Sequence, residues 1–194
     1  VRFDDAPPPA GLDPWVDGPP AAEDIEIVPS DPAWPENFRQ LAEMIRRALG
    51  QLALAVEHVG STSVPGLPAK PIIDVDLIVP DAAHEPSWLP QLETVGLKLK
   101  IREPWWYEHR CLRFDSPRAN VHVFSPNCAE AARHKIFRDW LRRNPQDLEL
   151  YRDAKITAAE VANRRGEHVT DYNARKQQVI REIYQRVFEA AGLL

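Results

Sequence analysis

Residues 57–79 read Glu57-His58-Val59-Gly60-Ser61-Thr62-Ser63-Val64-Pro65-Gly66-Leu67-Pro68-Ala69-Lys70-Pro71-Ile72-Ile73-Asp74-Val75-Asp76-Leu77-Ile78-Val79. This is a strand, a polar loop and a second strand. The second strand, Ile72 to Val79, is apolar except for Asp74 and Asp76. Side chains alternate along a strand, so two residues apart means the same face, with Cα atoms roughly 7 Å apart. Two carboxylates on one face of a buried strand repel each other and are costly to desolvate. A divalent cation would reconcile them, and Mg²⁺ or Mn²⁺ suits oxygen ligands shared with substrate phosphates. Without metal, one of the two should titrate above the ordinary carboxylate range, and removing Asp74 should leave the apo fold no less stable.

The loop fits an anion. Gly60 permits backbone conformations closed to other residues. Ser61, Thr62 and Ser63 bring hydroxyls, a tight turn there can aim N–H groups at an anion, and Lys70 adds a positive charge before the carboxylate strand. The plainer alternative is a turn and a relic of a site on a fold now used as a scaffold.

Gly-Ser followed by Asp-x-Asp on an apolar strand resembles the polymerase-β-like nucleotidyltransferases. The longer run from His58 to Asp74 resembles the GrpB family within that superfamily. The similarity continues through Asn120-Val121-His122-Val123-Phe124, Phe137-Arg138-Asp139-Trp140-Leu141-Arg142, Tyr151-x-x-x-Lys155 and Tyr172-Asn173-Ala174-Arg175-Lys176. It spans roughly Ile25 to Phe188. The resemblance implies an α/β (α+β) fold, with a small mixed nucleotidyltransferase-like sheet, flanking helices and a C-terminal helical segment. It implies Asp74 and Asp76 as metal ligands and catalytic groups, and the Gly60-Ser61 turn as a phosphate holder. Active members of the superfamily carry a third carboxylate on a neighbouring strand, and here His122 stands in its place. A neutral imidazole there could accept a proton or bind a transition metal, though it is a poor Mg²⁺ ligand. Structural hydrogen bonding is the competing role. Arg138, Lys155 and Lys176 fall within the family-like motifs, as phosphate ligands or as structural ion pairs.

The functional expectation is binding of a nucleotide or another phosphorylated small molecule, with nucleotidyl transfer to an unknown acceptor. The alternative is a non-catalytic accessory domain acting on a protein partner, as the resemblance suggests through GrpB-like domains fused to dephospho-CoA kinase. The chain lacks a Gly-x-x-x-x-Gly-Lys-Ser/Thr motif, so it is not a kinase by itself.

The bulk numbers narrow the classes. The 194 residues suit one domain, residues 23–194, after a Pro- and Asp-rich arm at residues 1–22 from which Trp15 can dock on the body. Val1 in place of Met leaves two readings, a piece of a longer chain or an alternative start codon taken literally. The net charge of −5 argues against a generic nucleic-acid binder. No apolar run approaches a membrane span and no signal peptide is visible. Cys111 and Cys128 read as free thiols, which fits a cytoplasmic protein.

The remaining pattern gives a short strand at Ile25 to Val28, then a helix capped by Asp31-Pro32 with Trp34 packed inward and Gly50 at its end. A helix follows at Trp88 to Val95 and a strand at Leu97 to Ile101. A hairpin turns around Asp115 to Ala119, and three helices start near Glu130, Asp147 and Asp171. Trp105-Trp106-Tyr107, set among charges, either line a pocket that stacks a flat group or plug a sheet edge.

Overall fold

The computed structural model describes residues 9–19, 21 and 24–192; part of the expected arm lies outside them. Five strands form one mixed sheet: β1 (Ala55–Val59), β2 (Ile73–Ile78), β3 (Lys98–Glu103), β4 (His109–Asp115) and β5 (Arg118–Phe124). Their order is β1-β2-β5-β4-β3. Only the β2–β5 pairing is parallel. Five α-helices accompany it: α1 (Trp34–Leu49), α2 (Leu89–Thr94), α3 (Ala129–Arg143), α4 (Pro145–Arg165) and α5 (Val169–Ala190).

The two faces of the sheet follow from strand alternation. Ile73, Val75, Leu77, Val121 and Val123 point one way and meet Leu41, Ala42, Ile45 and Leu49 of α1 and Leu92 of α2 in one apolar cluster. Trp34, 3% exposed, belongs to that cluster and is a packing residue. Each such aliphatic side chain contributes about 1.5–3 kcal/mol of burial. The opposite face carries Asp74, Asp76, Asn120, His122 and Phe124. Helices α3 to α5 come together on that side around a second cluster, which includes Leu141, Tyr151, Ile183 and Phe188 together with Val64 and Leu67 of the polar loop. The polar face of the central strands therefore lies between two cores.

Most expected elements stand within a few residues of their expected bounds. Helix α1 begins at Trp34, with Pro35 in its first turn; Asp31 accepts the Ala33 N–H at 2.8 Å two residues ahead of it. The expected strand at Ile25 to Val28 reduces to one bridge, Val28 to Ala69. Ile25 instead pairs its N–H and C=O with the side-chain amide of Asn163 on α4, at 2.8 and 3.0 Å. Trp15 bridges to Ile101, with Val16 N–H on Lys100 C=O and Arg102 N–H on Pro14 C=O, so this segment lies along the outer edge of β3. Cys111 and Cys128 are free thiols. No helix among the described residues is long and apolar enough to cross a membrane.

Candidate functional site

The polar sheet face opens into a cleft of about 830 Å³. The turn after β1 makes one lip. Gly60 has φ 66° and ψ −171°, a region reached essentially only by glycine. A Cβ there would stand 2.4 Å from Asp74 Oδ2, so the bare backbone is what lets the turn close over the carboxylate. Ser61 lines the cleft, as does Tyr151. Thr62 also lines it, with its hydroxyl 3.1 Å from His58 Nε2. Ser63 turns back, donating its hydroxyl to Gly60 C=O, and does not line the cleft.

On the floor, Asp74 accepts from Asn120 Nδ2 at 3.0 Å, and His122 Nε2 lies 3.9 Å from the same oxygen. Behind His122 runs a chain of contacts. His122 Nδ1 is 3.0 Å from His109 Nε2, and His109 Nδ1 is 2.7 Å from Glu103 Oε2. Burial pushes the His109 imidazole down to about 4 against the pull of Glu103, so it is neutral and bonded at both nitrogens. For His122 burial again opposes charge, but contact with Cys111 and Asp74 outweighs it and holds the ring well above its ordinary value. His122 thus stands where it was expected, on the strand beside Asp74 and on the cleft floor.

For Asp74 the expected upward shift is not found. Burial raises the Asp74 carboxyl, but the hydrogen bond and charge of His122, with Asn120 and Lys70, bring it below its ordinary value. Asp74 faces cations, so repulsion from Asp76 does not set its charge, and removing it takes away a favourable counter-ion. Asp76 is 1% exposed and does not line the cleft. Both its oxygens lie 3.0 Å from His134 Nδ1 of α3. Burial disfavours the His134 cation, but Asp76 and Glu130 raise it to about 9.

Three lysines line the cleft, Lys70 from the polar loop, Lys155 from α4 and Lys176 from α5. Lys155 donates to Pro68 C=O at 2.7 Å. Lys176 and Lys70 stand over the Tyr172 ring, 4.1 and 5.4 Å from its centroid. Burial, then the charge of Lys70, brings Lys176 down to about 7; burial and Lys176 put Lys155 well below its ordinary value. Trp105 and Trp106 line the cleft too, whereas Tyr107 does not and accepts from Arg133 at 3.2 Å. Trp106 also packs edge-on against Phe124 and His109.

Ser61, Asp74, His122 and Lys70 thus converge with Gly60, Thr62, Lys155 and Lys176 on one cleft, while Ser63, Asp76 and Arg138 do not line it. Arg138 pairs with Glu57 and Asp139 and donates to His58 C=O at 2.8 Å, which is its ion-pair alternative. The described donors do not fit a resident Mg²⁺ or Mn²⁺. Asp74 alone offers a carboxylate from the central strand to the cleft, Asp76 is closed by His134, and His122 offers an imidazole where Mg²⁺ takes oxygen. Among the described residues, no group of three or more His, Cys, Asp and Glu side chains is arranged to hold a metal ion. The sequence reading missed His134, His109 and Glu103. The only local signal for His134 was Glu130 four residues before it on a helix.

A family model described as GrpB protein matches residues 24–186. UPF0157 protein BH1888 of Halalkalibacterium halodurans is 46% identical over 162 residues, 84% of this chain and 82% of that one. A dephospho-CoA kinase of Mycobacterium tuberculosis is 30% identical over 191 residues, 85% of this chain but 46% of the kinase. Among solved structures, conserved protein GrpB from Enterococcus faecalis superposes with a TM-score of 0.70 at 30% identity, covering 84% of this chain and 99% of that one. The Cid1 poly(U) polymerase, solved with Mg and 3′-dATP bound, gives 0.52 at 12% identity over 77% of this chain and 49% of that one, a likeness of fold alone. The mixed sheet with its flanking helices is thus similar to a nucleotidyltransferase fold, and by its match over residues 24–186 the chain belongs to the GrpB family.

Proposed function

We propose that the cleft binds a nucleotide or another phosphorylated small molecule. The observation that carries this reading is the convergence of Lys70, Lys155 and Lys176 with Gly60, Ser61, Trp105 and Trp106 on one cleft. Burial and mutual repulsion leave two of these lysines poorly able to hold their protons. A phosphate chain would relieve that repulsion, and an indole face accepts a flat base. Nucleotidyl transfer to an acceptor hydroxyl is the reaction the fold likeness suggests. In it Asp74, open to the cleft, would orient the hydroxyl, and His122, 3.9 Å from it, would balance charge. Calorimetry with nucleoside triphosphates, in EDTA and in Mg²⁺, tests the reading. Binding that weakens in Lys155→Met and Lys176→Met supports it; no binding of nucleotide or pyrophosphate at millimolar concentration in either buffer ends it.

A second reading, a non-catalytic accessory domain for folding or regulating a protein partner, is favoured by the closure of Asp76 and by the likeness to less than half of a dephospho-CoA kinase. It requires that Asp74→Ala leave partner binding unchanged.

A further inference from the structure

A divalent ion bridging the two carboxylates of β2 would draw one oxygen from Asp76. His134, in the second turn of α3, stands there instead. Its Nδ1 is 3.0 Å from both Asp76 oxygens, and its Nε2 is 3.4 Å from Glu130 Oε1, one helical turn back. Glu130 is itself held by Arg133. With one carboxylate 3.0 Å from Nδ1 and another 3.4 Å from Nε2, the ring sits between two negative charges, and these favour its cationic form. The His134 side chain is 28% exposed and lines the cleft beside Asp74, whereas Asp76 behind it is 1% exposed.

We infer that His134 is a built-in cation occupying the place of a divalent ion on Asp76, so that the cleft holds phosphate with side-chain cations and no resident metal. The inference rests on the phosphorylated-ligand reading above. Two physical effects support it. An ion reaching Asp76 would have to displace a hydrogen-bonded ring and enter a dry position. It would also meet an imidazolium at contact distance, where charges of the same sign repel strongly at low dielectric. At this end of the cleft the fixed ring supplies the positive charge that a metal supplies elsewhere.

The test uses Mn²⁺ alone, titrated onto the full chain and followed by the electron paramagnetic resonance of the free ion. His134→Gln should bind Mn²⁺ at least about tenfold more tightly than the wild type, because a repelling charge has gone and a carboxylate is released. Adding Asp76→Asn to that variant should remove the gain. His134→Lys, which keeps a cation, should behave as the wild type does. Equal Mn²⁺ affinity in wild type and His134→Gln, whether both bind or neither does, overturns the inference; so does a gain that survives Asp76→Asn. Melting curves establish that each variant folds, with His134→Asn as the replacement should His134→Gln not fold. Pyrophosphate calorimetry in EDTA and in Mg²⁺ separates the two layers of argument. Binding in EDTA no weaker than in Mg²⁺ is expected. Binding only in Mg²⁺ overturns the built-in cation and leaves the phosphate reading intact. Binding in neither removes the phosphate reading, and the Mn²⁺ comparison still decides what His134 does.

Discussion

Asp74 and Asp76 leave the same strand in the same direction, two residues apart, and meet opposite fates. The Asp74 side chain is 31% exposed, rests on sheet neighbours Asn120 and His122, and faces the cleft under the bare backbone of Gly60. Asp76 is 1% exposed and is held through both oxygens by His134 of α3, the helix packed over the same face of the sheet. The spacing on β2 decides where the two carboxylates point. What covers them is decided by elements tens of residues away, so one end of an Asp-x-Asp pair is open chemistry and the other is structural.

The largest expected effect breaks the closed end. His134→Ala leaves a buried Asp76 carboxylate without its counter-ion and should cost about 3 kcal/mol at neutral pH in a urea titration. His134 is held near 9, above its ordinary 6.5. Its contribution is therefore fully present below about pH 6.5 and lost as pH rises through about 9. The stability gap between wild type and variant should shrink across that window. A gap below about 1 kcal/mol, or one that grows with pH, would show that the closed end is not an ion pair.

Gly60→Ala attacks the open end. The positive φ costs a non-glycine residue about 1–3 kcal/mol, and the new Cβ would meet Asp74 at 2.4 and 2.8 Å. A loss of about 2 kcal/mol is expected, together with weaker pyrophosphate binding as Asp74 and the turn shift. The His134 ring resonances in a nuclear magnetic resonance spectrum should stay in place. If they move with Gly60, the two ends are not independent.

This asymmetry marks how far the sequence could be read. The strands, the hairpin, the long helices and the cleft residues from Gly60 to Lys70 were legible because each follows a local rule: alternation, glycine geometry, helical spacing. Lys155 and Lys176 were legible only through family-like motifs. His134 was not, because Asp76 and His134 are 58 positions apart and no local period joins them. On α3 it stood among basic residues that resemble a solvated face. Arg138 shows the same limit from the other side: a cation in a familiar motif, it is spent on Glu57 and the edge of β1. Docking of Trp15 on the body was foreseen, but not its place: its backbone pairing with β3 depends on a sheet edge that only the strand order reveals.

Asp74→Asn sharpens the comparison at smaller scale. The carboxylate is surrounded by His122, Lys70 and, farther off, the buried lysines. Removing its charge should cost about 1 kcal/mol of stability, the size of one charge-assisted hydrogen bond. In EDTA the same change removes a like charge from an anion site, so pyrophosphate should bind about fivefold tighter, equivalent to roughly 1 kcal/mol. If Asp74 instead held an essential metal ion, Asp74→Asn would weaken binding in Mg²⁺ and leave binding in EDTA unimproved. The sign of the change, more than its size, separates the two arrangements.

The smallest effect is a fraction of a proton. Lys176, ordinarily near 10.5, is held at about 7 by burial and then by Lys70, with Asp74 opposing. The folded chain therefore binds fewer protons here than the unfolded chain between about pH 7 and 10.5, and this residue's contribution to stability rises with pH over that range. A bound phosphate chain supplies the missing negative charge and should return the proton to Lys176. Ligand binding near pH 7.5 should then take up part of a proton, measured as the dependence of calorimetric heat on the ionisation enthalpy of the buffer. Lys176→Met should lose that uptake, and the difference between the two proteins cancels any proton belonging to the ligand. Affinity in the wild type should also fall as pH rises from about 7 to 9, more steeply than in Lys176→Met. Equal proton uptake in both would mean that the open end of the pair meets its ligand without Lys176, and the phosphate chain would have to lie along Lys70 and the Gly60-Ser61 turn instead.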